Sequence, residues 1–376
     1  MINSLYIHIP FCTAKCSYCS FNSYSGLEGL RERYVEAVCD EMALVASCGY
    51  TGPLKTVFFG GGTPSVLSRH LLRKVLGAIS SYFSLDSDGE VSMEINPGTV
   101  DPAKLDCLLE AGMNRISFGV QSFDDKELGR IGRIHSAEEA VAAITMAERA
   151  GFDNISLDLM YGLPSQTHIS WQASLATAIS LGVKHLSLYQ LTVEEQTPLY
   201  QMVATERVQL PGEDELAQMD EITARLTGLA GLAQYEISNY AQKGYECRHN
   251  IGYWENDEYL GLGAGAVSYH QGSRKRNVAD PAHYCSLLEA RKSIVIEEEV
   301  LDSAASFRET VIMGLRMNRG VSMASLTRRY GISLEKYYGK VLQQLMGREL
   351  LEIQGDFLRL TDRGRVFANL VMAELV

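Results

Sequence analysis

The chain has 376 residues and a formal net charge of −12, with 46% hydrophobic and 21% charged residues. This composition is typical of a globular protein, and the negative charge argues against non-specific binding of nucleic acid. The sequence has no apolar run near the roughly 18 residues that span a bilayer, and residues 1–11 lack the basic start of a signal peptide. We therefore expect a cytoplasmic protein without a membrane span.

The first half of the chain alternates short β-like runs with helical patterns. The predicted strands are Leu5–Ile9, Thr56–Phe59, Val91–Ile95, Arg115–Gly119, Ile155–Leu159 and His185–Gln190. The predicted helices are Ser68–Phe83, Asp101–Ala111, Ser136–Ala150 and Thr167–Leu181. Six βα units predict an α/β fold with a parallel sheet and right-handed crossovers. Six units are too few for a closed eight-stranded barrel, so the pattern is compatible with either an open partial barrel or a doubly wound sheet.

The pattern changes after about residue 205. A helix is predicted at Gly212–Leu232 and a strand at Gln234–Ser238, before a segment, Cys247–His270, that is rich in aromatic residues and glycine. We predict three regions, which are an α/β barrel at 1–205, an α+β extension at 206–300 and a C-terminal domain at 301–376.

The C-terminal region has the order of elements found in a winged-helix-like domain. Its predicted elements are the helices Ala304–Met317, Ser322–Tyr330 and Ser333–Arg348, the strands Leu351–Ile353 and Leu358–Leu360, and the helix Asp362–Leu375. Winged helices often bind DNA, but residues 301–376 contain 11 Lys or Arg against 8 Asp or Glu. Because this excess is small for a phosphate-binding surface, we expect a substrate lid or an acceptor-docking surface.

Three cysteines, Cys12, Cys16 and Cys19, follow the first predicted strand in a C-x3-C-x2-C pattern. Thiolates suit iron–sulfur clusters and zinc. A closed zinc site needs four ligands, and Phe21 occupies the position where a fourth cysteine could follow. The pattern favours a cluster with one iron lacking a protein ligand, and a zinc site completed by a distant His or Cys is the alternative. The other five cysteines are scattered, and most are expected to be small buried residues.

Polar residues recur at the carboxyl ends of the predicted strands. A glycine loop, Gly60-Gly61-Gly62-Thr63-Pro64, follows the second strand. The residues Glu94, Gln121, Arg133, Asp158 and Gln190 end or follow the later strands. The carboxyl ends of barrel strands form the active face, so these side chains are expected to meet the cysteine loop there. Taken singly, the loop could be a tight turn and each polar residue a partner in a strand-end hydrogen bond.

These motifs together resemble the radical S-adenosylmethionine (SAM) superfamily. The similarity runs through Y-I-H-I-P-F-C at 6–12, the cysteine loop, G-G-G-T-P at 60–64, Q-S-F at 121–123, D-L-M-Y-G-L-P at 158–164 and residues 261–268. More narrowly, the sequence resembles oxygen-independent coproporphyrinogen III oxidase and its relatives. The resemblance implies a partial (β/α)6 barrel with an α+β segment and a C-terminal winged-helix-like domain.

The resemblance also implies a cofactor set. A 4Fe–4S cluster would be bound by Cys12, Cys16 and Cys19, and its open iron would bind SAM. The residues implied to contact SAM are Tyr6, Gly61, Glu94, Gln121, Arg133 and Asp158. The glycine loop, with Gly62 and Thr63, would hold the methionine amino group. An electron donor would reduce the cluster.

A second motif distinguishes the heme chaperone branch from the oxidase. His249-Asn250-Ile251-Gly252-Tyr253-Trp254 resembles the H-N-x-x-Y-W motif of the heme chaperone branch, the HemW family. The resemblance implies that His249 ligates heme iron, with Cys247 as a weaker candidate. From the residues alone, a histidine beside two aromatic residues is also typical of a hydrogen-bonded core position.

The oxidase has a longer N-terminal arm and a further cysteine where this chain has Phe21, which argues against coproporphyrinogen decarboxylation. The sequence is thus interpreted as a heme chaperone that passes heme to an acceptor protein. A coproporphyrinogen III dehydrogenase is the alternative. A DNA-binding regulator with an iron–sulfur sensor is a third and more distant hypothesis.

Overall fold

A computed structural model of the chain describes residues 2–376. Over these residues, one large sheet contains β1 Ser4–Ile9, β2 Leu54–Gly61, β3 Leu85–Ile95, β4 Arg115–Gln121, β5 Asn154–Tyr161, β6 His185–Gln190, β7 Ala233–Gln234, β8 Asn239–Ala241, β9 Tyr259–Leu262, β10 Val267–His270, β11 Ser273–Asn277 and β12 Val295–Val300. A small antiparallel sheet contains β13 Val321–Ser322, β14 Leu351–Gln354 and β15 Phe357–Leu360.

The helices mostly follow or flank the strands. They are α1 Arg31–Ser47, α2 Arg69–Tyr82, α3 Pro102–Glu110, α4 Asp125–Arg130, α5 Ala137–Ala150, α6 His168–Ser180, α7 Pro198–Ala204, α8 Glu213–Leu229, α9 Arg248–Trp254, α10 Pro281–Glu289, α11 Ser303–Gly314, α12 Met323–Tyr330, α13 Leu334–Tyr338, α14 Lys340–Gly347, α15 Asp362–Val366 and α16 Ala368–Glu374. Within residues 2–376 we find no helix with the length and apolar character that crossing a bilayer requires.

Helix starts follow the capping residues visible in the sequence. Ser68, Asp101 and Thr167 each accept a hydrogen bond from a backbone N–H in the first turn of their helix. Ser136 and Glu139 form a reciprocal capping box at the start of α5. These bonds satisfy backbone donors that lack a partner within the helix, so the helix boundaries predicted there are confirmed to within a residue or two.

The six predicted βα strands form the centre of the large sheet. β1 to β6 are parallel and lie in sequence order, and β9 adds a further parallel strand beside β1. On the opposite edge, β6 pairs antiparallel with β8. Since β1 and β6 each have another neighbour on the outer side, the arrangement is an open (β/α)6 barrel. The predicted fold class is confirmed.

The face of the sheet that lines the inside of the barrel is polar, unlike the mostly apolar strands typical of parallel sheets. Along β1, Tyr6 and His8 alternate with apolar residues that pack against the helices. Arg115 in β4 and His185 in β6 are buried, and Arg115 Nη1 lies 3.1 Å from Ser92 Oγ in β3. Titratable groups therefore fill the barrel below its carboxyl end.

Some predicted elements are wrong in detail. Of the predicted strand Gln234–Ser238, only Gln234 lies in a strand, β7, and the rest connects β7 to β8. The predicted helix at 333–348 is divided at Gly339, which has a φ of 47°. The predicted helix at 362–375 is divided at Phe367. The sequence analysis also did not identify α1 or the strands β9 to β12.

The C-terminal region has a core of its own. Phe307, Val311, Leu326, Leu345 and Leu358 are buried together under the small antiparallel sheet. The helices α11 to α14 precede the β14–β15 hairpin, and α15 and α16 follow it. This is the order predicted for a winged-helix-like domain.

Candidate functional site

The cysteine loop is attached to the carboxyl end of β1 by backbone hydrogen bonds. The N–H of Cys12 donates to the carbonyl of Tyr24 at 2.9 Å, and the N–H of Tyr24 donates to Pro10 at 2.7 Å. Further along the loop, the N–H of Ser17 donates to the carbonyl of Ile131 at 3.0 Å. These bonds hold the three cysteines above the barrel, against the segment that follows α4.

All three cysteines line one cavity of about 370 Å³ at the carboxyl ends of the barrel strands. The hydroxyl of Thr63 donates to Cys12 Sγ at 3.6 Å, and Arg133 Nη1 donates to Cys16 Sγ at 3.5 Å. Burial raises the pKa of the Cys12 thiol, against the opposing effect of hydrogen bonds from Thr63 and Ser23.

In the part of the chain that the structure describes, no three His, Cys, Asp or Glu side chains converge closely enough to hold one metal ion. Three thiols spaced around a cavity suit a multi-iron cluster better than a single Zn²⁺, which draws its ligands to about 2.0–2.3 Å. The donor set therefore fits an iron–sulfur cluster, with side chains of Thr63 and Arg133 able to donate to its sulfurs.

The glycine loop lets the end of β2 lie against β1 and the cysteine loop. Gly61 has a φ of 110°, and a Cβ there would be 2.5 Å from the ring of His8. A Cβ on Gly62 would be 2.7 Å from the carbonyl oxygen of Phe11. Both distances are below any normal contact, so a side chain at position 61 would displace the His8 ring, and one at position 62 would displace the backbone that leads into the cysteine loop.

The backbone N–H groups of Gly61, Gly62 and Thr63 all have partners within the protein. The N–H of Gly61 donates to Glu94 Oε2 at 3.2 Å, and those of Gly62 and Thr63 donate to carbonyls of the cysteine-loop region, at 2.8 Å each. An ammonium group is itself a donor and needs acceptors. The loop can therefore contact a methionine amino group only through its carbonyls and the Thr63 hydroxyl.

Two carboxyl groups, Glu94 and Asp158, line the cavity from β3 and β5. Burial, together with the nearby charge of Asp158, raises the pKa of Glu94 to about 8. Burial also raises the pKa of Asp158, against hydrogen bonds from Ser187 and Ser117, the latter at 2.9 Å. At the start of β4, Arg115 favours the ionised form of both carboxyls. The pair offers acceptors for hydroxyl and ammonium donors.

Arg133 connects the cysteine loop to the ends of β3 and β4. Its Nη2 donates to Asn96 Oδ1 at 2.9 Å and to the carbonyl of Gly119, and its Nη1 contacts Cys16. Asn96 Nδ2 in turn donates to Thr63 Oγ1 at 3.0 Å. Asn96 is not among the predicted site residues, although its position directly after the third strand is the same signal that identified Glu94.

Gln121 lies at an irregularity in β4. It has a φ of 72°, and the pairing of β4 with β5 shifts register between Gly119 and Gln121. A non-glycine residue in this left-handed region is uncommon and concentrates at functional positions. The irregularity brings Gln121 into the wall of the cavity, which Met160, Tyr189 and Gln190 also line.

Tyr6 lies below this cavity and does not line it. Its hydroxyl is 3.0 Å from His8 Nδ1, and His8 Nε2 is 2.8 Å from the carbonyl oxygen of Asn22 in the cysteine loop. Burial raises the pKa of Tyr6 and lowers that of His8, so a neutral pair supports the loop from below.

His249 also lies apart from the cavity, inside the amino-terminal end of the barrel. Its Nδ1 is 2.8 Å from Thr56 Oγ1 and its Nε2 is 2.9 Å from the hydroxyl of Tyr253. The ring stacks on Phe58 with 5.0 Å between centroids. Burial lowers its pKa to about 3, so the imidazole is neutral. Cys247 is equally buried, with its thiol 3.6 Å from Glu90 Oε1.

The geometry of His249 is that of a satisfied core histidine. Both ring nitrogens already have partners, so ligation of iron by His249 would require α9 to leave the barrel. The structure thus unites the three cysteines with Gly61, Gly62, Thr63, Glu94, Gln121, Arg133 and Asp158. It separates Tyr6 and His249 from that group.

Two protein-family models and a solved structure match this chain. The family model of the radical SAM superfamily matches residues 6–178, and that of the HemN C-terminal domain matches residues 301–367. The solved structure of coproporphyrinogen III oxidase (HemN) from Escherichia coli has a TM-score of 0.86 over 99% of this chain and 89% of that chain. At 22% identity, this similarity shows a shared fold.

Relatives named heme chaperone HemW are closer in sequence. The HemW of Bacillus subtilis (strain 168) is 38% identical over 98% of this chain and 97% of its own length. The HemW of Escherichia coli (strain K12) is 42% identical over 70% of this chain and 69% of its own. With the two family matches and the cavity described above, these identities show that the chain belongs to the heme chaperone HemW family within the radical SAM superfamily.

Proposed function

We propose that this protein is a heme chaperone that binds heme and transfers it to an acceptor protein. The observation that carries this proposal is its 38% identity, over nearly the whole of both chains, to a protein named heme chaperone HemW. A cytoplasmic location and an electron donor for the cluster belong to the same proposal.

The cofactor part of the proposal is a 4Fe–4S cluster and SAM. Cys12, Cys16 and Cys19 would hold the cluster, because their thiols line one cavity without a fourth cysteine among its lining residues in the described chain. When bound and reduced, such a cluster supplies one-electron cleavage of the sulfonium C–S bond of SAM.

The residues of the cavity have distinct roles in this proposal. Glu94 and Asp158 would accept hydrogen bonds from hydroxyl and ammonium groups, and a bound sulfonium cation would favour the ionised form of both carboxyls. Arg133 retains one buried donor, Nε, without a partner among the described residues, and could pair with a carboxylate. Gln121 would orient the ligand through its side-chain amide.

The test is a comparison of heme binding, heme transfer and porphyrinogen oxidation on the same preparation. Anaerobically purified protein should shift the Soret band of added heme and should pass that heme to an apo heme protein faster than free heme partitions. In parallel, the reconstituted protein is incubated with coproporphyrinogen III, SAM and a reductant. Formation of protoporphyrinogen IX over many turnovers would contradict the chaperone function and support the dehydrogenase alternative. Absence of heme binding would contradict the proposal as well.

A further inference from the structure

A second cavity lies between the barrel and the C-terminal core. Its volume is about 750 Å³, compared with about 370 Å³ for the cavity of the cysteines. Both volumes fall in the range of small-molecule sites. One wall comes from the barrel, with Gln190 at the end of β6 and Ile237 in the β7–β8 turn. The other comes from the end of α11 and from the α15–α16 junction.

The wall of this cavity carries a cluster of exposed apolar side chains. Val366 is 78% exposed, Phe367 47%, Leu370 44% and Ile237 41%. The first three lie at the α15–α16 junction, where the helix breaks at Phe367. Large apolar side chains scattered singly on a surface need no explanation, but four around one cavity mark a site for an apolar ligand.

Two arginines, Arg316 and Arg365, also line the cavity. The guanidinium carbon of Arg316 lies 4.8 Å from the ring centroid of Trp254, and its buried Nε has no hydrogen-bond partner within residues 2–376. Arg365 pairs with Asp362 on the exposed side of α15.

The acidic residue that lines the cavity is Asp220, which is hydrogen-bonded to Tyr161. Burial raises the pKa of Asp220. Among the lining residues, two arginines therefore stand against one acidic residue, and an apolar ligand that carries carboxylates matches both the charge and the apolar surface of the wall.

We propose that this cavity binds a tetrapyrrole, with the flat macrocycle on Phe367 and its apolar neighbours and the two propionates paired with Arg316 and Arg365. This inference rests on the proposed heme chaperone function and specifies its ligand site. Arginine pairs with carboxylates in a bidentate manner, and aromatic rings stack on flat conjugated ligands. Gln190 lines both cavities, so the tetrapyrrole would lie beside the cluster and SAM site.

The same geometry assigns a role to the H-N-x-x-Y-W segment. Its last residue, Trp254, supports Arg316 by stacking, and its first residue, His249, fixes α9 inside the barrel through Thr56 and Tyr253. The segment therefore positions an arginine for a propionate and leaves the heme iron without a histidine ligand from position 249. Binding in this cavity then depends on the macrocycle and its carboxylates.

The experiment measures hemin and metal-free protoporphyrin IX binding to the full-length, cluster-reconstituted protein. The variants are Arg365→Glu, Arg316→Gln and Phe367→Ser, and the matched control is Arg363→Glu, an exposed neighbour on α15 that pairs with Glu349 outside the cavity. We expect both ligands to bind the unmodified protein and Arg363→Glu alike. Each of the three variants should bind both ligands at least about tenfold more weakly, because each loses one charge-assisted or aromatic contact. Unchanged iron content verifies that each variant is folded.

Three outcomes would overturn the inference. If the three variants bind hemin as tightly as the control does, the site lies elsewhere and the chaperone function still stands. If hemin binds but metal-free protoporphyrin IX does not, iron ligation drives binding and the cavity assignment fails. If the unmodified protein binds neither ligand, the proposed function fails and the cavity assignment fails with it.

Discussion

His249 Nδ1 lies 2.8 Å from Thr56 Oγ1 at the amino-terminal end of β2, although 193 positions separate the two residues in the chain. The other ring nitrogen contacts Tyr253 at 2.9 Å. The residue that the sequence motif implicates in heme binding is therefore part of the barrel core. A variant at this position is therefore expected to change the stability of the protein, whether or not it changes heme binding.

The first prediction concerns the stability of His249→Ala. Removing the ring leaves a cavity beside Phe58 and deprives Thr56 and Tyr253 of a partner, so we expect the free energy of unfolding to fall by about 2–4 kcal/mol. Urea unfolding measures this loss, with His283→Ala, on the exposed side of α10, as the control. If His249→Ala unfolds like the unmodified protein yet loses all heme binding, His249 is a ligand and not a core residue.

The second prediction concerns the cluster. Anaerobically reconstituted protein should contain about four irons per chain, the content of one 4Fe–4S cluster. Cys12→Ala, Cys16→Ala and Cys19→Ala should each lose most of this iron, and Cys48→Ala should keep it because Cys48 is exposed on the surface, away from the cavity. Iron and sulfide analysis with electron paramagnetic resonance provides the measurement. One zinc per chain without iron would contradict the cluster.

The third prediction is a dependence of stability on pH through Glu94. Its pKa is raised from an ordinary value of 4.5 to about 8, so the folded state binds this proton more tightly than the unfolded state does. The resulting stabilisation is complete below pH 4.5 and is lost as the pH rises through about 8. Glu94→Gln mimics the protonated carboxyl and removes this loss.

Unfolding of the cluster-free protein at pH 5.5 and pH 8.5 tests this prediction. The difference in free energy of unfolding between Glu94→Gln and the unmodified protein should shift by about 1–3 kcal/mol in favour of the variant from pH 5.5 to pH 8.5. This shift is the cost of a buried charge whose surroundings compensate it incompletely. The exposed variant Glu138→Gln should show no such gain. If the variant instead gained relative stability at the lower pH, the pKa of Glu94 would not be raised in the folded protein.

The fourth prediction concerns Glu90, which holds the start of α9. Its carboxylate accepts from the N–H groups of Arg248 at 2.9 Å and His249 at 3.2 Å. Glu90→Ala leaves both buried donors without their partner, so we expect a loss of about 1–3 kcal/mol in stability.

Hydrogen exchange measures the consequence for the motif segment. Amides 248–254 should exchange faster in Glu90→Ala, whereas Glu110→Gln, which removes an exposed pair with Arg73, should leave them unchanged. Equal protection of α9 in Glu90→Ala and the unmodified protein would show that Glu90 does not hold the helix in place.

The sequence identified most of the cysteine cavity because its signals are local. Cys12, Cys16 and Cys19 lie within eight positions, and Glu94 and Asp158 each end a strand whose direction the βα order already determines. Asn96 was not predicted, because Glu94 already accounted for a polar residue at that strand end. The pairing of the N–H groups in the glycine loop could not be predicted, because their acceptors, including Ile9 and Phe11, come from a distant part of the chain.

By itself the sequence determined the order of βα units, the family and the residues at the carboxyl ends of the strands. The order of units and the strand ends depend on spacing and periodicity, which are readable over short windows, and the family was indicated by the resemblance of several short motifs. Only the tertiary structure decided that Tyr6 and His249 lie below the cavity and that Trp254 supports Arg316. Burial and hydrogen-bond partners arise from contacts between distant segments, and a short motif carries no information about which side of the barrel it will face.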